Sequence, residues 1–77
     1  YTSMCVSAAS SGNGTYARAA ALFNGKAQYS QIGYTIRYDL TRWQLWDTGG
    51  SIIISESDAT NADCPSDATW PITVAPC

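Results

Sequence analysis

The sequence predicts an all-β fold, a small antiparallel meander, sandwich or barrel that contains a disulfide. The first observation is the alternation of apolar and polar side chains in residues 34–38, which is the period of a strand. The second is the frequency of β-branched and aromatic side chains, which favour strands. The third is the placement of turn-forming pairs such as Asn24-Gly25 between the apolar segments. The chain is therefore predicted to form one β-rich domain, residues 1–77, near the lower size limit for independent folding.

The centre of the predicted fold is a hairpin in residues 34–46. Alternate residues from Tyr34 to Tyr38 share one face of its first strand, residues 39–42 form the turn, and residues 43–46 return as the second strand. We expect the aromatic face of this hairpin to supply most of the core, because each aromatic ring removes a large area from water.

Three strands are predicted before this hairpin. Residues 1–8 form the first of them. Residues 15–23 fit either a strand that enters the tight Asn24-Gly25 turn or a short alanine-rich helix, and we favour the strand. Residues 27–30 then return as a short strand, with Tyr29 facing inward.

Two further strands and a loop are predicted after the hairpin. Three consecutive isoleucines in residues 51–55 indicate a strand with both faces at least partly covered. Residues 56–69 are acidic and rich in small polar side chains, and we expect an ordered loop there. Residues 70–77 are expected to form the last strand, which Pro71 and Pro76 confine to a sheet edge.

The charge composition argues against nucleic acid and membrane spans. Charged residues make up 13% of the chain, the formal net charge is −2, and the four basic residues do not form a cluster. No apolar segment approaches the roughly 20 residues that a membrane-spanning helix needs. We interpret the start at Tyr1 as that of a processed or excised chain, from which a signal peptide has been removed.

The three cysteines are typical of a small secreted protein, so the expected location is extracellular, secreted or at the cell surface. Their number is odd, so one disulfide leaves one thiol over, and three pairings are open. We predict a bridge between Cys64 and Cys77, because it closes a segment that contains little else to hold it. Cys5 is then the spare cysteine, available for an intermolecular bridge or buried as an inert thiol.

No side-chain pattern predicts catalysis, and we expect a protein that is not an enzyme and needs no cofactor. The chain contains no histidine, which excludes Ser–His–Asp and Cys–His arrangements, and its loop carboxylates are expected to be solvated. Asp58, Asn61 and Asp63 offer oxygen ligands for calcium but lack the glycine and glutamate spacing of an EF-hand. No metal site is predicted.

The aromatic side chains leave two interpretations open, core packing and a sugar-binding strip. The chain has five tyrosines, three tryptophans and one phenylalanine, and a small domain needs the burial that they provide. Trp43 and Leu45 point to one face of their strand and Trp46 to the other. Trp46 is therefore the candidate for an exposed ring that stacks on a sugar.

Several turn and core residues form a pattern, which consists of Asn13-Gly14-Thr15-Tyr16, then Asn24-Gly25-Lys26 followed by Tyr29, then Tyr34, Ile36, Tyr38 and Asp39 followed by Trp43. This pattern resembles that of a small secreted β-rich module, which recurs in large extracellular proteins of aquatic microbes and invertebrates. The resemblance covers about residues 4–56. It implies a secreted β-rich fold and no established activity.

Asn13 begins the sequence Asn13-Gly14-Thr15, an N-glycosylation sequon in a predicted surface loop. The Asn-Gly pair also fits a plain turn, so both interpretations stay open. Glycosylation of Asn13 is a hypothesis for a eukaryotic source.

Two functions are compatible with these patterns. The favoured one is a structural or adhesive extracellular module, a subunit or repeat of a cell-surface or filament assembly. The alternative is a carbohydrate-binding module or small lectin that uses exposed Trp and Tyr, with glycans as its partners.

Self-association through the terminal strands is the predicted mode of assembly. Met4 and Val6 near the start, and Ile72 and Val74 near the end, alternate along uncharged segments. An exposed edge of this kind is a template for pairing with another chain, and a head-to-tail contact that does not close gives a filament. The other solution is that the two terminal strands pair with each other and close a monomeric sheet.

Overall fold

A computed structural model describes all residues, Tyr1–Cys77, and shows seven antiparallel strands in one curled half-barrel sheet. A 3₁₀ helix, Pro65–Asp67, lies between the last two strands. The predicted all-β fold with a disulfide is confirmed. The strands are β1 (Ser3–Ser7), β2 (Gly14–Phe23), β3 (Lys26–Gln31), β4 (Tyr34–Tyr38), β5 (Trp43–Asp47), β6 (Ile52–Glu56) and β7 (Thr73–Pro76).

The strands lie in the order β6-β5-β4-β3-β2-β1-β7. Strands β1 to β6 form a meander in which each strand pairs with the next one in the chain. Strand β7 returns to pair with β1, with Met4 opposite Pro76 and Val6 opposite Val74. The two terminal strands therefore pair with each other, and the free edges of the sheet are β6 and β7.

The central hairpin forms as predicted from strands β4 and β5, with Tyr38 opposite Trp43. Asp39 organises the turn, because its Oδ1 accepts hydrogen bonds from the backbone N–H groups of Thr41 at 2.8 Å and Arg42 at 2.7 Å. The indole of Trp43 is fully buried. The hairpin thus supplies the centre of the core.

Strand β2 confirms the strand interpretation of residues 15–23 and contains a bulge. Arg18 and Leu22 pair with residues of β3 that are only two apart, so the alanines between them are left without partners in the ladder. The side chain of Gln28 donates a hydrogen bond to the carbonyl of Ala21 at 3.3 Å. Small side chains suit this bulge because they fit a locally bent strand.

The core is one cluster of nine buried apolar side chains, which partly buried residues extend. Burial raises the pKa of the Tyr16 and Tyr29 hydroxyls, since their ionised forms lose hydration there. The Tyr16 hydroxyl donates to the carbonyl of Gly12, and a Cβ at Gly12 would lie only 2.9 Å from that hydroxyl oxygen. The nine residues are Met4, Val6, Tyr16, Tyr29, Ile36, Tyr38, Trp43, Leu45 and Val74.

The loop after β6 is ordered, as predicted, because side chains of the sheet bind its backbone. Three consecutive carbonyls, in residues 60–62, accept hydrogen bonds from the Tyr38 hydroxyl, the Lys26 ammonium and the Trp43 indole N–H. The buried rings of the hairpin therefore satisfy their polar atoms on this loop. The loop in turn carries the chain from one edge of the sheet to the other.

Candidate functional site

Strand β6 pairs with β5 on one side, has a free edge on the other and carries exposed isoleucines. The side chains of Ile52 and Ile53 are 60% and 38% exposed, whereas Ile54 packs against the core. The expectation that both faces of this strand are at least partly covered agrees with these values, but it did not include the free edge of β6, beyond which no strand lies. Exposed apolar side chains on an unpaired edge mark a place where another chain can add.

A groove of about 770 Å³ runs between β6 and residues 69–71. Its apolar lining is provided by Ile53, Ile54 and Trp70. A hydrogen bond from the backbone N–H of Asp58 to the carbonyl of Thr69, 2.8 Å long, joins its two sides at one end. Along the rest of the groove β6 has no strand partner on this side.

The far wall of the groove is held in place by Trp70. Its indole N–H donates to the carbonyl of Pro65 at 2.8 Å, and its ring packs partly against the core. From Thr69 the chain leads to the start of β7, where Thr73 pairs with Ser7. This wall therefore belongs to the structure of the loop and is not formed by a flexible side chain alone.

The polar end of the groove carries a net negative charge. Arg42 and Glu56 form a long ion pair, with Nε and Oε2 3.7 Å apart, and both side chains are more than a third exposed. Such a pair is weak because water screens it. Asp58 is exposed and belongs to no ion pair. A basic group placed here would meet one uncompensated carboxylate.

The backbone of β6 offers hydrogen-bonding groups to this groove. The N–H of Ser57 donates to the carbonyl of Trp43 at 2.9 Å, so this position belongs to the hydrogen-bonded ladder with β5. The amide of the preceding residue, Glu56, then points away from β5, because facing directions alternate along a strand. The groove thus combines an apolar floor, free backbone groups and an acidic end.

The predicted assembly residues point their side chains into the core, and only Val74 belongs to an edge strand, β7. Met4, Val6 and Val74 are buried, and Ile72 packs partly against the same cluster. The prediction that Met4 and Val6 form a free edge is wrong, because β1 lies between β2 and β7. Their alternation reflects one face turned to the core, which gives the same pattern as an exposed apolar edge.

The predicted disulfide between Cys64 and Cys77 is also wrong. Cys77 is bonded to Cys5, with their Cα atoms 5.1 Å apart, and Cys64 is a half-buried free thiol. The pairing of β1 with β7 explains this, since Cys5 lies opposite Ala75, two residues from Cys77. The spare cysteine is therefore Cys64 and not Cys5.

Trp46 is half-buried on the face of the sheet opposite the core, and the guanidinium group of Arg37 lies against its ring. The Arg37 guanidinium carbon lies 4.5 Å from the centre of the Trp46 ring and 4.7 Å from that of Phe23. The Trp46 indole N–H donates to Gln44 Oε1 at 2.9 Å. Sugar binding by Trp46 stays a prediction, and a sugar would have to share the ring with this cation.

Asn13 is exposed at the surface and shapes the loop before β2. Its Oδ1 accepts a hydrogen bond from the Ala9 N–H at 2.9 Å, and its Nδ2 donates to the Ala9 carbonyl at 3.0 Å. The side chain therefore closes the loop as an added backbone pair would. Glycosylation of Asn13 stays a prediction.

Two of the three residues weighed as calcium ligands, Asn61 and Asp63, contact the ammonium group of Lys26. Lys26 Nζ lies 2.7 Å from Asp63 Oδ1 and 3.2 Å from the carbonyl oxygen of Asn61. This hydrogen bond and the charge of Lys26 lower the pKa of the Asp63 carboxyl. No group of three or more His, Cys, Asp or Glu side chains is placed to hold a metal ion.

Sequence reasoning missed the groove because it considered the two faces of β6 and not whether the strand lies at an edge of the sheet. The available signal was their place in the chain. In a meander, the last strand has no successor to pair with, so it is an edge unless the chain returns to it. Here the chain returns to β1 instead.

No helix of the structure is long and apolar enough to cross a membrane. Comparison with known proteins finds no matching family model, no similar curated protein and no similar solved structure. The resemblance to a small secreted β-rich module therefore stays a prediction.

Proposed function

We propose that this chain is an extracellular structural or adhesive module that joins polypeptide chains through the free edge of β6. The observation that carries this proposal is the exposure of Ile52 and Ile53 on an edge strand that is paired on one side only. Monomeric proteins usually protect such an edge from pairing with charged side chains or proline. Within β6 the only charged residue is Glu56, at its end, and there is no proline.

Two further features support an extracellular structural role. The Cys5–Cys77 disulfide is of the kind that persists in oxidising compartments. It ties the last strand to the first across a sequence separation of 72 residues, so the two ends of the chain are linked covalently. A module with linked ends and one open edge suits a role in linking chains.

The proposal is tested by light scattering of the purified chain over a range of concentrations. Association of copies through β6 gives a mass that rises with concentration above 8.2 kDa. Ile52→Lys introduces a charge at the edge and is expected to abolish this rise. Leu22→Lys is the matched control, because Leu22 is equally exposed, at 60%, but lies on the interior strand β2.

Two results would contradict the proposal. One is a single species near 8.2 kDa at every concentration, with and without reductant. The other is an equal loss of association in Ile52→Lys and Leu22→Lys, which would point to general apolar contact and not to the edge of β6.

A further inference from the structure

We infer that the groove beside β6 takes up an extended segment of another polypeptide, which adds to β6 as an antiparallel strand. The segment carries apolar side chains at alternate positions and a lysine or arginine at the end beside Asp58. This inference rests on the proposed function in so far as the edge of β6 makes the contact. It adds the chemical class of the partner and the way in which that partner is bound.

The backbone of β6 sets the mode of binding. The edge has no strand partner on the groove side, and the amide of Glu56 points away from β5. An extended segment satisfies these groups by main-chain hydrogen bonds, as in other cases of strand addition. Alternate side chains of the segment then meet the apolar floor formed by Ile53, Ile54 and Trp70.

The far wall favours a single segment over the edge of a second copy. Thr69, Trp70 and Pro71 bound the groove opposite β6, and the Asp58–Thr69 hydrogen bond closes one end. An edge strand of a second copy brings its own sheet, for which this wall limits the room, so a copy that pairs with β6 as in the proposed function is held less deeply than a single segment. A segment with no sheet behind it reaches both the edge and the floor.

Charge determines which side chain suits the end of the segment beside Asp58. Strand β6 runs toward Asp58, so the N-terminal end of an antiparallel segment lies beside that carboxylate. Arg42 already neutralises Glu56 in part, which leaves Asp58 as the uncompensated charge of the groove. A basic side chain near the N-terminal end of the segment therefore complements the site, and an acidic one is repelled.

The test uses short synthetic peptides of alternating valine and threonine, capped at both ends and labelled with a fluorophore. One peptide has lysine at its N-terminal end, and its matched control has glutamate there. Fluorescence anisotropy with the intact chain is expected to show tighter binding of the lysine peptide, by about threefold, the size of one exposed charge pair. Asp58→Asn removes this preference, while the affinity for the apolar part is retained.

Backbone methylation tests whether the peptide adds as a strand. Two peptides are made in which alternate amides are N-methylated. One has the N–H groups of one edge blocked, and the other has those of the opposite edge blocked. Only the version that blocks the edge facing β6 is expected to lose binding, by about tenfold or more, because each lost main-chain hydrogen bond weakens binding. Equal binding of the two methylated peptides would overturn strand addition.

Protein variants locate the binding site. Ile53→Lys is expected to weaken binding by about tenfold, since it replaces part of the apolar floor with a charge. Leu22→Lys, on an interior strand, leaves binding unchanged. Thermal unfolding of both variants shows that each is folded, and equal weakening by the two would overturn the assignment to this groove.

The two proposals fail in distinguishable ways. Self-association that is lost in Ile52→Lys, together with no peptide binding, leaves the proposed function standing and overturns the inference. A strictly monomeric chain that binds the lysine peptide in an Ile53-dependent way overturns self-association and supports the inference. Peptide that binds and lowers the mass of the associated chain supports both.

Discussion

The two edges of this sheet, β6 and β7, differ in how they meet solvent. Strand β7 carries the buried Val74, ends at Pro76 and is followed by Cys77, which is bonded to Cys5 of the neighbouring strand. Strand β6 carries no proline and no covalent link, and two of its isoleucines are exposed. A proline and a disulfide therefore restrict pairing at the edge of β7, whereas the edge of β6 carries neither.

The backbone shows the same difference. The carbonyl of Thr2 accepts a hydrogen bond from Arg18 on β2, so the backbone groups of Met4, two residues further along β1, also face β2. Pro76 lies opposite Met4, so its nitrogen faces away from β1, and it carries no N–H. The edge of β7 therefore lacks a donor at this position. At the corresponding place on β6, the amide of Glu56 faces outward with its N–H intact. A single small sheet can discourage pairing at one edge and permit it at the other.

The largest expected effect comes from removing the disulfide that links β7 to β1. Replacing Cys5 and Cys77 together by serine removes a link across 72 residues. The lost restriction on the unfolded chain is expected to lower the unfolding free energy by about 4 kcal/mol. Denaturant unfolding measures the loss. Cys64→Ser, at the free thiol, is the control and should cost far less. Equal losses in the two variants would contradict the disulfide pairing.

A smaller loss of unfolding free energy is expected when one residue of each edge strand is replaced by threonine. Val74→Thr places a hydroxyl in the core and is expected to cost about 2 kcal/mol of unfolding free energy. Ile53→Thr, at a site 38% exposed, should cost less than about 1 kcal/mol. Denaturant midpoints of the two variants check the contrast. If Ile53→Thr were the more damaging, β6 would be a packed strand and not an open edge.

The smallest effect concerns the loop that joins the two edges. Asp63 has a pKa lowered by the hydrogen bond and charge of Lys26, so its ion pair stabilises the fold above the pKa of unfolded Asp. This contribution is lost as the pH falls through the lower, folded pKa. The unfolding free energy of the native chain should therefore fall more on acidification than that of Asp63→Asn. Parallel pH profiles of the two proteins would show that the pair adds nothing to stability.

Sequence patterns were sufficient for the local structure. The alternation around Ile36, the Asn24-Gly25 turn and the strand in residues 15–23 all depend on neighbours in the chain, and all three predictions are confirmed. Asn24 and Gly25 have φ of 52° and 80°, the left-handed region that these two residues tolerate. The place of Tyr29 on the inner face follows from the same period of two.

The candidate site could not be predicted in the same way, because it depends on which strands become edges. Alternating apolar residues look alike whether they face a core or a free edge, and Met4 and Val6 proved to be core residues. The isoleucines of β6 likewise predicted a partly covered strand without indicating that this strand is an edge. The groove exists only because residues 69–71 lie opposite this edge, a contact between segments separated by the whole acidic loop.

Local sequence is enough to specify the strand-forming segments, the turns between them and the aromatic hairpin at the centre. Each follows from the period of a strand and from the backbone preferences of a few residues. Long-range packing alone fixes the pairing of β7 with β1, the bond of Cys77 to Cys5, the free thiol of Cys64 and the position of β6 at an edge, where it pairs with β5 on one side only. Pairing between distant strands is chosen by the burial of the whole core, and no local pattern specifies that choice.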